Sequence, residues 1–176
     1  MRFDVTDISG PRIIELQAHV DERGFFARSF CVNEFAAQGI NFNPVQMNVS
    51  FNSKRGTLRG MHFQRPPHEE AKIVSCMRGA IYDVVIDLRR GAPTFKRSIT
   101  VELTAENHRA LYVPAGFAHG FQSLSDATEV LYVMSEFYAP DAALGVRYND
   151  IAFGVAWPID NPIISQRDAS YPDFRL

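Results

Sequence analysis

Residues 80–88 read Ala-Ile-Tyr-Asp-Val-Val-Ile-Asp-Leu. A run this rich in β-branched residues, closed downstream by Gly91, Pro93 and Thr94, predicts a β-strand. Alternation puts Tyr82, Val84, Ile86 and Leu88 on one face and Asp83, Val85 and Asp87 on the other. Carboxylates turned into an ordinary apolar core are costly. Two readings follow: the acidic face lines a polar cavity, or it meets solvent.

Working outward, residues 97–103 (RSITVEL) and 109–113 (RALYV) are strands of the same kind, the second stopped by Pro114-Ala115-Gly116. Residues 127–138 (ATEVLYVMSEFY) are long for one strand and stop at Ala139-Pro140, which predicts a bend or bulge. Their alternation groups Tyr132, Met134, Glu136 and Tyr138 against Leu131, Val133 and Phe137. At strand rise the two tyrosines would lie ~20 Å apart, so only one would reach a given reacting atom. One helix is predicted in the first third, over 32–38 (VNEFAAQ), ended by Gly39. Residues 157–176, with Pro158, Pro162 and Pro172, predict an irregular cap. Short strands between turns, with little helix, predict a mainly β antiparallel sandwich or barrel.

Composition agrees and narrows the function classes. The 176 residues suit a single domain over 1–176, and 46% hydrophobic content can fill a core. Fourteen Phe, six Tyr, one Trp, 11 Gly and 10 Pro favour strands and tight turns. A formal charge of −2 argues against binding to nucleic-acid phosphates. No apolar run approaches the ~18 residues of a membrane span. The opening MRFDVTDISGPR is acidic where a signal peptide is apolar, so a cytoplasmic location is expected. Cys31 and Cys76 form no CxxC pair and read as reduced thiols.

Two of the five histidines sit in glycine-containing segments where backbone can approach a ligand closely: His62 in GTLRGMHFQ (56–64) and His119 in PAGFAHG (114–120). The pair of segments resembles the two signature motifs of the cupin superfamily, which implies a cupin-type antiparallel β-barrel (jelly roll) with short peripheral helices. Metal-binding cupins carry His-x-His and then Glu in the first motif, with one more His in the second. Here Gln64 holds the second histidine position, leaving at best His62, Glu69 or Glu70, and His119 for a metal.

The chain further resembles the dTDP-4-dehydrorhamnose 3,5-epimerase family of metal-free cupins. The stretches are DERGFF (21–26), QMN (46–48), LRGMHFQ (58–64), DLRRGAPTF (87–95), 113–121 and ISQRD (164–168), in family order across nearly the whole chain. The resemblance implies a cofactor-independent epimerase of a nucleoside-diphosphate 4-keto-6-deoxy sugar, whose C3 and C5 hydrogens are acidic beside the C4 ketone. Such chemistry needs a base on one face of the ring, an acid on the other, and a charge for the enolate oxygen. By match to family positions, His62 is the base and Asp168 the carboxylate that orients it. Tyr132 returns a proton from the opposite face, and Lys72 stabilises the enolate. Asp83 and His119 form a second carboxylate–histidine pair beside the site.

At the nucleotide end the resemblance assigns Arg23 and Arg59 to the diphosphate and Phe26 and Tyr138 to aromatic walls. Gln46 and Asn48 alternate on one strand face, placed to hydrogen-bond nucleoside or phosphate. Arg28 stands where the family usually carries Glu, near the nucleotide, and Phe137 where many members have Tyr. The resemblance also implies a homodimer with exchanged N-terminal strands. A C3-only or C5-only epimerase, an enzyme for a different nucleotide, a metal-dependent cupin oxygenase and a non-catalytic sugar-binding module stay open.

Overall fold

The computed structural model describes residues 1–175. Two sheets carry most of it. The first runs in the order β1 (Arg2–Val5), β2 (Arg12–Glu15), β10 (Arg109–Val113), β7 (Lys72–Arg78), β12 (Thr128–Met134) and β5 (Gln46–Asn52). The second runs β13 (Ala143–Gly145), β6 (Thr57–Gln64), β11 (Phe117–Ser123), β8 (Ala80–Asp87) and β9 (Ser98–Thr104). A short β14 (Ile163–Ile164) lies parallel to β6, while the other pairings among the described residues are antiparallel. Two small helices, α1 (Val32–Ala37) and α2 (Gln166–Ala169), sit outside the sheets. This is the mainly β, cupin-type jelly roll with short peripheral helices.

Strand alternation sorts the apolar residues into three layers. Between the sheets, Val74, Cys76, Ile81, Val85, Leu111, Val113, Phe117, Phe121 and Val130 fill the closed end of the barrel. Outside the first sheet, α1 presents Phe35 to Ile14, Ile73 and Tyr112. Burying a ring of that size contributes roughly 2–3 kcal/mol. Outside the second sheet, Val84, Ile86 and Met61 meet Phe153, Trp157 and Phe174 of the C-terminal segment.

The quoted strand is thus buried on both faces. Tyr82, Val84, Ile86 and Leu88 pack under the C-terminal segment, and Asp83 turns inward with no exposure. The two carboxylates part ways, however. Asp87 closes the 87–97 turn, accepting from Arg89 Nη2 at 2.7 Å and Thr94 Oγ1 at 2.6 Å, and takes no part in the cavity. Residues 157–175 also depart from a purely irregular cap, since β14 and α2 lie within them.

Two apolar features stay largely uncovered. Among the described residues the strands of the hairpin, β3 (His19–Asp21) and β4 (Gly24–Phe26), pair only with each other. Phe25 rests on His108, ring centroids 4.7 Å apart, while Val20 and Phe26 are more than three-quarters exposed. At the far side of the first sheet, β5 is an edge strand with Met47, Val49 and Phe51 more than half exposed.

Candidate active site

Above the apolar plug the inner faces of the two sheets turn polar and enclose a cavity of about 480 Å³. The change runs along individual strands. On β7, Cys76 and Val74 belong to the core and Lys72 to the cavity; on β12, Val130 is core, while Tyr132 and Met134 line the cavity. From the first sheet come Gln46, Asn48, Lys72 and Tyr132; from the second come Arg59, His62, Gln64 and His119.

A bulge makes the second set possible. His119 pairs with His62, and Phe121 with Arg59, so two steps on β11 match three on β6. Strict alternation would send Arg59 and His62 to opposite faces; the extra residue brings both to the cavity and leaves Met61 in the outer layer. Gly60 sits in the irregularity with φ 136°, and a Cβ there would lie 2.5 Å from the Gly120 Cα. Only glycine fits that approach.

Two histidine–carboxylate pairs follow. His62 Nε2 meets Asp168 Oδ1 at 2.8 Å, and Asp168 Oδ2 accepts the Gly60 N–H at 3.2 Å. Helix α2 delivers the carboxylate, with Ser165 as its cap accepting from the Asp168 N–H at 3.1 Å. Burial alone would raise the Asp168 carboxyl, but the bond and charge of His62, with the Gly60 and Ser165 bonds, hold it below the usual range. The second pair, His119 Nε2 to Asp83 Oδ1 at 2.7 Å, is fully buried, and Asp83 Oδ2 has no hydrogen-bond partner. Burial pushes the Asp83 carboxyl up, against the pull of His119 and Lys72.

Tyr132 stands edge-on to His119, ring centroids 6.2 Å apart. Burial pushes its phenol well above the ordinary tyrosine range, so the hydroxyl keeps its proton across the working pH range. Lys72 Nζ donates to Glu70 Oε1 at 2.9 Å, both side chains buried. Arg59 is aimed by Asn52, whose Oδ1 accepts from Nε at 2.8 Å.

The cavity therefore gathers His62, Lys72, Tyr132, Gln46, Asn48, Arg59, His119 and Tyr138, with Asp168 and Asp83 behind the two histidines. Both tyrosines of the 127–138 segment line it, in keeping with their shared face. β12 ends at Met134, and beyond it the Tyr138 N–H reaches Gln46 Oε1 at 3.3 Å. Arg23, Phe26 and Arg28 are not in the cavity of their own chain. Arg23 pairs with Asp21, Phe26 is exposed on the hairpin, and Arg28 binds Glu34 at 2.7 Å.

The donor set His62, Glu and His119 is not gathered around one point. Each histidine is bonded to its own aspartate and Glu70 to Lys72, and among the described residues no three His, Cys, Asp or Glu side chains form a cluster able to hold a metal ion. Gln64 is spent on backbone, donating to the His68 and Phe137 carbonyls and accepting the Ala139 N–H. Burial raises the Cys76 thiol to about 11, in keeping with an inert core residue.

Three neighbours were not assigned to the substrate site from the sequence. Glu70 lies just before β7, two residues from Lys72, and both side chains line the cavity. Arg167, adjacent to Asp168, lines the cavity together with Tyr138. Tyr171 packs edge-on to His62 at 6.2 Å, over Gly145, where a Cβ would come within 2.2 Å of its ring. Nothing in the local pattern announces that contact.

Comparison with known proteins gives one family. The family model described as dTDP-4-dehydrorhamnose 3,5-epimerase matches residues 5–175. A protein of that name from Shigella flexneri is 40% identical over 170 residues, 96% of this chain and 93% of the relative. The crystal structure of a dTDP-4-dehydrorhamnose 3,5-epimerase from Bacillus anthracis with TDP and PPi bound is 40% identical. It superposes with a TM-score of 0.95, covering 98% of this chain and 99% of that one. A dTDP-6-deoxy-D-glucose-3,5-epimerase from Legionella pneumophila, in complex with dTDP-4-keto-L-rhamnose, is 34% identical with a TM-score of 0.90 and 99% coverage of both chains.

Proposed function

From the membership of this chain in the dTDP-4-dehydrorhamnose 3,5-epimerase family, we propose that it inverts C3 and C5 of a thymidine-diphosphate-linked 4-keto-6-deoxy sugar without a cofactor. The observation that carries the proposal is the placement of His62 and Tyr132 on opposite sheets of one cavity, with Lys72 on the same wall as Tyr132. A flat sugar ring held there meets a base on one face and an acid on the other.

In the first step the His62 imidazole takes the proton from a carbon beside the ketone. The C–H electron pair moves into the ring, and the C4 oxygen becomes an enolate facing the Lys72 ammonium. Asp168 fixes the imidazole and offsets its new charge. The Tyr132 hydroxyl then gives its proton to the opposite face of the same carbon, forming the inverted C–H bond and leaving a phenolate. Proton exchange with solvent resets both groups before the second centre reacts. His119 and Asp83 support the Tyr132 side.

Arg59, Gln46, Asn48 and Tyr138 form the nucleotide end of the same cavity in this reading. Arg23, Phe26 and Arg28 serve it from a second copy in a homodimer, where the β3–β4 hairpin extends the edge strand β5 of the partner. The exposed Val20 and Phe26 on the hairpin and Met47, Val49 and Phe51 on β5 support that exchange. A single domain and a cytoplasmic location complete the reading; among the described residues no helix is long and apolar enough to cross a membrane.

Incubation of the protein with thymidine-diphosphate 4-keto-6-deoxyglucose in heavy water tests the proposal. Deuterium is expected at both C3 and C5, and His62→Ala abolishes the exchange. Label confined to one carbon would establish a monoepimerase, and no label in any nucleotide-linked 4-keto sugar would sink the reading.

A further inference from the structure

Glu70 and Lys72 stand two residues apart where the chain enters β7, so both point inward and both line the cavity. Each side chain is only 6% exposed, and Lys72 Nζ donates to Glu70 Oε1 at 2.9 Å. The other oxygen, Oε2, is buried with no hydrogen-bond partner. As a structural device the pair is poor. Buried ion pairs are commonly no more stabilising than apolar residues of the same volume, and a half-satisfied carboxylate carries a desolvation penalty. Among the described residues Lys72 is also the only lysine lining the cavity, and its charge acts on the buried Asp83 carboxyl as well.

A lysine that must meet a developing oxyanion has a mechanical problem. Its ammonium ends a long, freely rotating stem and loses much rotamer freedom when it is ordered. Preorganised donors act because this ordering is complete before the reaction begins. One N–H of Lys72 is anchored on Glu70, which compensates the buried charge and leaves two N–H groups for the ketone oxygen.

Resting on the epimerase reading, we infer that Glu70 is a positioning residue that acts through Lys72, holding the ammonium where the enolate charge appears. The effect belongs to the transition state, so it falls on kcat and not on KM. Substitution Glu70→Gln keeps the shape and an acceptor but removes the charge.

The test is a cycle of Glu70→Gln, Lys72→Met and the double variant, read as kcat and KM for epimerisation, with thymidine diphosphate affinity as the check on folding. Glu70→Gln is expected to lower kcat by about 10- to 100-fold with KM nearly constant, somewhat less than deletion of an oxyanion donor. In the Lys72→Met background the same change should have almost no effect, and Glu70→Asp should restore part of kcat. Unchanged kcat in Glu70→Gln, or an equal loss with and without Lys72, overturns the inference. If Glu70→Gln does not fold, the cycle is run with Glu70→Asp, whose smaller loss must likewise vanish in the Lys72→Met background. A wild-type protein that exchanges no deuterium removes the epimerase reading and this inference together, whereas normal wild-type exchange with an indifferent Glu70→Gln removes this inference alone.

Discussion

His62 receives its orientation from a carboxylate that is itself fully occupied. Asp168 gives one oxygen to the imidazole and the other to the Gly60 N–H, while its own backbone is held by Ser165. These bonds favour the ionised form, so the folded carboxyl titrates below its ordinary value of about 3.9. The stability it contributes is fully present above that ordinary value and is lost as the pH falls through the folded one. Asp168→Asn is therefore expected to be less stable than wild type at pH 7, with the gap closing as the pH falls below the ordinary carboxylate value. Denaturant midpoints measured across that range check the trend, and a gap of constant size would mean that the carboxylate charge is not what stabilises the site. The same variant should lose activity by about 100-fold or more, since the imidazole loses both its orienting partner and its counter-charge.

Among the elements, α2 does the most with the least: four residues carry Arg167 to the cavity and Asp168 to His62. A helix this short depends on its cap, and removing a serine cap costs about 1 kcal/mol. Ser165→Ala should lower the unfolding midpoint slightly and reduce turnover several-fold, with thymidine diphosphate affinity kept. Turnover equal to wild type would show that the β14 pairing alone fixes Asp168. Much of the element plan was legible in the chain. The β8 alternation set Asp83 on the face opposite Val84 and left cavity or solvent open for it, RALYV matched β10 to the residue, and VNEFAAQ matched α1 within one residue. The motifs likewise led to His62, Lys72, Tyr132 and Asp168. The β6 bulge was not legible, because an extra residue in a ladder shows itself only against the partner strand. Tyr138 was legible on the face of Tyr132, although β12 itself stops at Met134. Tyr171 on His62 is a contact between distant segments, invisible to any local pattern.

At the scale of the whole molecule, a second copy in the proposed homodimer would cover the exposed hairpin and the free edge of β5. Light scattering at micromolar concentration should give a dimer, and Val49→Lys, which sets a charge on the exposed face of β5, should give a folded monomer with weakened nucleotide binding. A wild-type monomer would contradict the exchange of N-terminal segments. Within each chain, the base hangs from one sheet and the acid from the other, above an apolar plug that both sheets share. The barrel is consequently a caliper, with the plug as the stop that sets its jaws near the ~10 Å spacing of packed sheets. Thinning the stop, at Val74 below Lys72 or Val130 below Tyr132, would change the opening and detune proton transfer from residues that never touch the sugar.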